Sequence, residues 1–172
     1  DVNTTGAFNT ALGSSALGSN TTASYSTAVG YQAAYSNTTG ADNTAMGGNS
    51  LYTNSTGNFN VASGYASLRL NTTGSSNVGL GYEALRSNTT ASNNTAVGYQ
   101  ASYASSTGAS NTAVGWRALT SNTASNNTAV GFQSLYDNTT GSYNTAVGQS
   151  ALENNTTAAA NTAVGYQALT TN

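Results

Sequence analysis

The sequence contains no cysteine, proline, histidine or lysine, and only eight of its 172 side chains are charged. Without cysteine it has no disulfide framework and no thiolate metal site. Its carboxylates do not recur as a pair within one repeat, so no acid/base dyad can be named. With a net charge of -2 it offers no basic surface for phosphates. We therefore expect that the protein is not an enzyme, holds no cofactor or metal, and does not bind nucleic acid.

Long apolar runs are also missing, so we expect no insertion into a membrane. The N-terminus does not resemble a signal peptide. Asn, Ser and Thr make up 76 residues, a bias that is common in disordered chains. Here, however, the apolar residues recur in fixed columns, which favours a folded chain.

Ten copies of Asn-Thr-Ala-Val-Gly, or a close variant, organise the whole chain. They begin at residues 9, 26, 43, 60, 77, 94, 111, 127, 144 and 161. The interval is 17 residues, except for 16 residues between Asn111 and Asn127. Such a period is typical of a repeat architecture. We interpret residues 1–172 as a single repeat domain and expect it to be a segment of a longer fibre.

The columns of the repeat predict an inside and an outside. If the first Asn of the phrase is position one, position three is Ala or Gly79 and position eight is Ala or Ser, which suits a tight interior. Position four is aliphatic except for Ser63, and position nine is Leu except for Ala34 and Ser102, so we predict that both form the core. Position five is always glycine, as positive φ or a close backbone approach requires: Gly13, Gly30, Gly47, Gly64, Gly81, Gly98, Gly115, Gly131, Gly148 and Gly165.

Seventeen residues are too few for a helical pair, and Thr, Val and Tyr favour strands. We predict an all-β fold, a parallel β-solenoid or β-roll with one coil per repeat. Each coil would have a strand at positions two to four, a bend at Gly-Tyr-Gln, a second strand at positions seven to ten and a turn at Asn-Thr-Thr-Gly. Coils about 4.8 Å apart would make a rod of roughly 50 Å. The Asn column at position one would hydrogen-bond along the stack, and the one-residue deletion, within residues 122–126, would lie in the turn.

Residues Asn161 to Leu169, together with the Asn-Thr-Thr-Gly turns, resemble the repeats of tail-fibre-domain proteins of phages and bacteria. The Asn-Thr-Ala-Val-Gly phrase is also similar to the head repeat of YadA-like trimeric adhesins. The resemblance implies a left-handed parallel β-roll, commonly a homotrimer, on the surface of a cell or virion. The repeat here is longer than that of the adhesin head.

Position six forms an aromatic column. One interpretation is a strip that contacts glycans or a partner chain. The other is a structural ladder that covers the bend. The aromatic members are Tyr31, Tyr65, Tyr82, Tyr99, Trp116, Phe132 and Tyr166.

Position twelve repeats an Asn-x-Ser/Thr sequon in the segment predicted to be an exposed turn. Glycosylation and plain turn chemistry both explain this pattern. The sequons begin at Asn3, Asn20, Asn37, Asn54, Asn71, Asn88, Asn138 and Asn155, with further matches at Asn93, Asn126 and Asn154.

Three functions follow as hypotheses. The first is a non-enzymatic structural segment of an extracellular fibre, a tail-fibre shaft or an adhesin-like stalk. The second is a self-assembling, glycosylated cell-surface filament. The third is a binding module, for glycans through the aromatic column or for ice through the Thr column at position two. The first two predict that copies of the chain associate, as a trimer or a filament.

Overall fold

The computed structural model describes residues 3–171, and ten three-residue strands form their only regular secondary structure. The strands lie in a single parallel sheet in sequence order, and equivalent positions face each other, as Thr10 faces Thr27. The chain is therefore a β-solenoid of stacked coils, as predicted. The strands are β1 (Thr10–Leu12), β2 (Thr27–Val29), β3 (Thr44–Met46), β4 (Val61–Ser63), β5 (Val78–Leu80), β6 (Thr95–Val97), β7 (Thr112–Val114), β8 (Thr128–Val130), β9 (Thr145–Val147) and β10 (Thr162–Val164).

A glycine ends every strand because the chain must turn where the next coil lies directly against it. Gly81 has a φ of 132°, and a Cβ atom there would lie 2.5 Å from the carbonyl oxygen of Gly98. Only glycine tolerates both conditions. The sequence prediction for this column is confirmed.

The predicted second strand at positions seven to ten is wrong. Positions seven and nine adopt left-handed backbone conformations, for example φ of 53° at Glu83 and 52° at Leu85. The left-handed conformation costs about 1 to 2 kcal/mol for each residue other than glycine. Hydrogen bonds to the adjacent coils offset this cost, since Glu83 N donates to Tyr65 O at 2.9 Å and Leu85 N donates to Ala101 O at 3.0 Å.

The aliphatic core is one leucine wide. Position nine is fully buried against the small residues of positions three and eight, as predicted, in Leu51, Leu68, Leu85, Leu119, Leu135 and Leu152. Position four, however, is not part of the core: Met46 is 48% exposed and Val147 is 37% exposed. Successive side chains of a strand point to opposite faces, so an inward Ala at position three places positions two and four outside.

Two columns of buried asparagines line the rest of the interior. At position one, Asn43 Oδ1 accepts the backbone N–H of Asn60 at 2.9 Å, and Asn43 Nδ2 donates to Gly57 O at 2.8 Å. At position twelve the amides bond to one another, Asn71 Nδ2 donating to Asn54 Oδ1 at 2.8 Å. The predicted asparagine ladder exists at position one, mainly through backbone partners. The amide-to-amide ladder belongs mainly to position twelve.

The short seventh repeat keeps the sheet intact. Thr112 still faces Thr128, in the same register as every other pair of strands. The missing residue is absorbed in the turn, where Asn122 Nδ2 donates to the carbonyl two residues later instead of three. The predicted location of the deletion is confirmed. Because residues 3–171 contain no helix, they contain none that could cross a bilayer.

Candidate interaction surface

The outer face of the sheet and the bend beside it form an uncharged surface along the rod. The side chains of positions two, four and six point outward here, and none of these thirty residues is charged. Position two is mostly threonine, position four mostly valine and position six mostly aromatic. An exposed apolar strip that continues over many coils is characteristic of an interaction surface.

The aromatic residues of position six in five consecutive coils form a continuous stack, hereafter the aromatic ladder. Neighbouring ring centroids are 4.8 to 6.1 Å apart and neighbouring planes differ by 7 to 20°. These are offset-stacked geometries that aromatic pairs favour. The members are Tyr65, Tyr82, Tyr99, Trp116 and Phe132.

Stacking decides which part of each ring is accessible. Inside the ladder the two faces of a ring contact the rings above and below, so the solvent meets ring edges and hydroxyl groups. A sugar that packs on a ring face would have to displace a neighbouring ring. Two predicted members lie apart from the ladder, Tyr31 beyond Gly48 and Tyr166 beyond Gln149.

A second ladder lies at position ten, which was not predicted from the sequence. Tyr35 and Tyr52 stack at 5.4 Å, and the Arg69 guanidinium lies 5.8 Å from the Tyr52 ring centre. Arg86 lies 5.5 Å from the ring centre of Tyr103 in the next coil. The sequence signal that could have revealed this second ladder is the 17-residue spacing of Tyr35 and Tyr52.

Charged side chains cluster beside the middle of the aromatic ladder. Arg86 Nε lies 3.2 Å from Glu83 Oε1, and Gln100 Nε2 donates to Glu83 Oε2 at 2.9 Å. The negative charge of Glu83 raises the pKa of the Tyr82 phenol, with smaller contributions from desolvation and neighbouring tyrosines. The Glu83 side chain at position seven therefore lies close enough to the Tyr82 ring at position six to affect its phenol.

The sequons of position twelve are buried, so the predicted exposure of this column is wrong except at Asn3 in the first coil. The turn folds inward because the Asn amide bonds to the adjacent coil and to its own turn, as Asn71 Nδ2 bonds to Gly74 O at 2.9 Å. In the folded chain these amides are not accessible: Asn20, Asn37, Asn54, Asn71, Asn88, Asn138 and Asn155. Besides Asn3, the sequons that lie at the surface begin at Asn93, Asn126 and Asn154.

Within residues 3–171 no three His, Cys, Asp or Glu side chains lie close enough together to hold a metal ion. Comparisons of the chain with protein-family models, curated proteins and solved structures give no match.

Proposed function

We propose that the chain is a non-enzymatic structural rod of an extracellular fibre, a tail-fibre shaft or an adhesin-like stalk. The observation that carries this proposal is the unbroken stack: ten parallel strands in register, with polar ladders inside that hold each coil to the next. A solenoid gains stability from every coil added, which suits a shaft. The extracellular location follows from the resemblance to tail-fibre and adhesin repeats.

We further propose that copies of the chain associate through the outer face of the sheet. The threonines and valines of this face form a flat, uncharged surface, so contact between copies requires no desolvation of ions. The half-exposed position-four side chains would then complete their burial between chains. Burial between chains would explain why position four is aliphatic although it lies outside the core of the single chain.

Sedimentation equilibrium tests the association. We expect the mass of an oligomer, that is, of two or more chains of 17.2 kDa each. The double variant Val97→Lys/Val114→Lys places charges on the outer face and is expected to give monomers. Its matched control, Thr90→Lys/Thr107→Lys, places the same charges at exposed positions of the turns that follow position twelve and is expected to remain assembled. Monomeric wild-type protein, or dissociation by both variants, would contradict the proposal.

A second candidate is a self-assembling filament, and the equivalence of the coils favours it. The strands of successive coils pair in the same register from β1 to β10. The stacking that joins coils inside a chain would equally join the last coil of one chain to the first of another. Electron microscopy separates the two candidates, because end-to-end stacking gives filaments whose length grows with concentration, whereas lateral association gives particles of fixed length.

A further inference from the structure

One of the coils in the column of position six has no side chain at that position, because the residue there is glycine. Tyr31 and Tyr65 occupy the coils on either side of Gly48, which contributes no side chain between them. We call this gap, bounded by Tyr31, Gly48 and Tyr65, the Gly48 slot. Tyr31 is 57% exposed and Tyr65 is 52% exposed, against 38 to 45% for the other four members of the ladder.

The coil of Tyr65 carries small residues beside that ring. There, Ser63 replaces the aliphatic residue of position four, and Ala66 replaces the long polar residue common at position seven, whereas the coil of Gly48 keeps Met46 at position four. A Cβ atom on Gly48 would approach no side-chain atom more closely than Tyr65 Cδ2, at 3.5 Å. Two coil spacings amount to about 9.6 Å. If the two tyrosine rings keep this coil spacing, one ring inserted between them would lie about 4.8 Å from each, which equals the shortest separation in the ladder.

Position seven carries two amide side chains beside the slot. Gln32 follows Tyr31 in the sequence, and Asn49 follows Gly48. Elsewhere, position-seven side chains lie beside the rings, as Arg117 lies 5.2 Å from the Trp116 ring centre. The structure records no hydrogen bond for either amide within residues 3–171. The backbone at the base of the slot is already paired, Asn49 N donating to Tyr31 O at 2.9 Å and Ala66 N to Gly48 O at 2.9 Å. The two amides are thus the groups that remain for a ligand.

We propose that the Gly48 slot binds one pyranose ring of a neutral glycan. A pyranose presents weakly positive C–H groups on its faces, which the negative faces of Tyr31 and Tyr65 attract. Its edge carries hydroxyl groups, which Gln32 and Asn49 match as donors and acceptors. An aromatic side chain would satisfy the two tyrosine faces but would offer no hydrogen-bonding groups to the two amides. The site goes beyond the shaft function, since it would give the rod a defined point of recognition.

Proton NMR of the Tyr31 and Tyr65 rings tests the proposal with methyl glycosides of glucose, galactose, mannose and N-acetylglucosamine as probes. We expect one or more of these to shift both rings saturably. Gly48→Tyr fills the slot and should weaken binding by about tenfold or more. Gln149→Tyr fills a different level of the same column and should leave affinity unchanged. Gln32→Ala should weaken binding less than Gly48→Tyr does.

Three outcomes would overturn the proposal. The first is the absence of a saturable shift of the two tyrosine rings with every methyl glycoside. The second is equal binding by Gly48→Tyr and the wild type, with thermal unfolding showing that the variant is folded. The third is binding of para-cresol, an analogue of a tyrosine side chain, without binding of any glycoside. None of these outcomes affects the sedimentation test, so failure of the slot and failure of the shaft are distinguishable.

Discussion

The buried asparagine ladder and the exposed aromatic ladder run side by side along the same rod, yet they tolerate change very differently. Position twelve is Asn in every described coil except one, where Ser105 stands. Position six accepts Tyr, Trp, Phe, Ser, Gly and Gln. A buried amide has donors and acceptors that must all be paired, whereas an exposed ring loses only stacking contact. The inner ladder thus specifies the coil, and the outer ladder is free to vary.

The single exception on the inside supports this difference. Ser105 Oγ donates to Asn122 O at 2.7 Å, and Ser102 Oγ donates to Ser105 Oγ at 2.8 Å. Ser102 itself replaces a core leucine in the same coil, so the two polar substitutions partner each other. Asn88, one coil earlier, is left with an unpaired Oδ1. A change on the inside thus needs a compensating change and still leaves a defect.

The largest effect should come from Gly81→Ala, which adds a methyl group to the inside of the bend. The positive φ and the close approach of the Gly98 carbonyl both oppose it, so we expect a loss of about 3 kcal/mol or more. Gly48→Ala is the matched control, since its methyl group meets only ordinary contacts. Urea unfolding measures both. Equal stability of the two variants would contradict the geometry of the bend.

The comparison between the ladders is tested by Asn71→Ala and Tyr99→Ala. Asn71 donates to Asn54 Oδ1 and Gly74 O, so its removal leaves Asn54 Oδ1 without a donor, whereas Gly74 O keeps the donor Asn60 Nδ2. We expect a loss of about 2 to 4 kcal/mol. Tyr99→Ala should cost about 1 kcal/mol, because only ring stacking is lost. A larger loss for Tyr99→Ala in urea unfolding would reverse our ranking of the ladders.

Repair of the irregular coil should stabilise the chain. The double variant Ser102→Leu/Ser105→Asn restores the leucine and amide ladders and gives Asn88 Oδ1 a donor again. We expect a gain of about 1 to 2 kcal/mol in the free energy of unfolding. Each single change breaks the serine pair, so the double variant should exceed the sum of the two singles. Additive effects would show that the two serines are independent.

The smallest effect concerns the outer ladder alone. Because the Glu83 carboxylate raises the pKa of Tyr82, Glu83→Gln should lower that pKa toward its ordinary value of 10.0. The raised pKa means that this group's contribution to stability is present below pH about 10 and is lost as the pH rises through the folded-state pKa. Ultraviolet titration of the phenol at alkaline pH measures the shift. An unchanged titration curve would place the carboxylate away from the ring.

The sequence predicted the features that the period repeats strictly and that a single physical cause explains. Stacked coils, the glycine bend, the leucine core and the position of the deletion all follow from column composition and were found. The second strand failed because left-handed residues such as Glu83 and Leu85 leave no residue-type signature outside glycine and asparagine. Position four failed because an aliphatic column was equated with a core, although an inward Ala at position three requires the opposite.

The surface was predicted less well, and for a specific reason. A sequon column at Asn71 and its equivalents resembles an exposed turn, and only the fold shows that the amide turns inward to bond to the next coil. The aromatic column was identified from the sequence. The stacking that covers the ring faces was not, because it depends on the spacing of the coils. The Gly48 slot was not predicted, although the interruption between Tyr31 and Tyr65 is visible in the sequence, because the stacking of rings along this column was not foreseen.

Hydrogen exchange of side-chain amides by NMR tests the central claim most directly, since it monitors the inner ladders and the outer face in a single experiment. We predict that the NH₂ groups of buried asparagines such as Asn54 and Asn71 remain protected in D₂O long after those of Gln32 and Gln133 have exchanged. Protection of the asparagines comparable to that of the glutamines would contradict an interior held together by amide ladders.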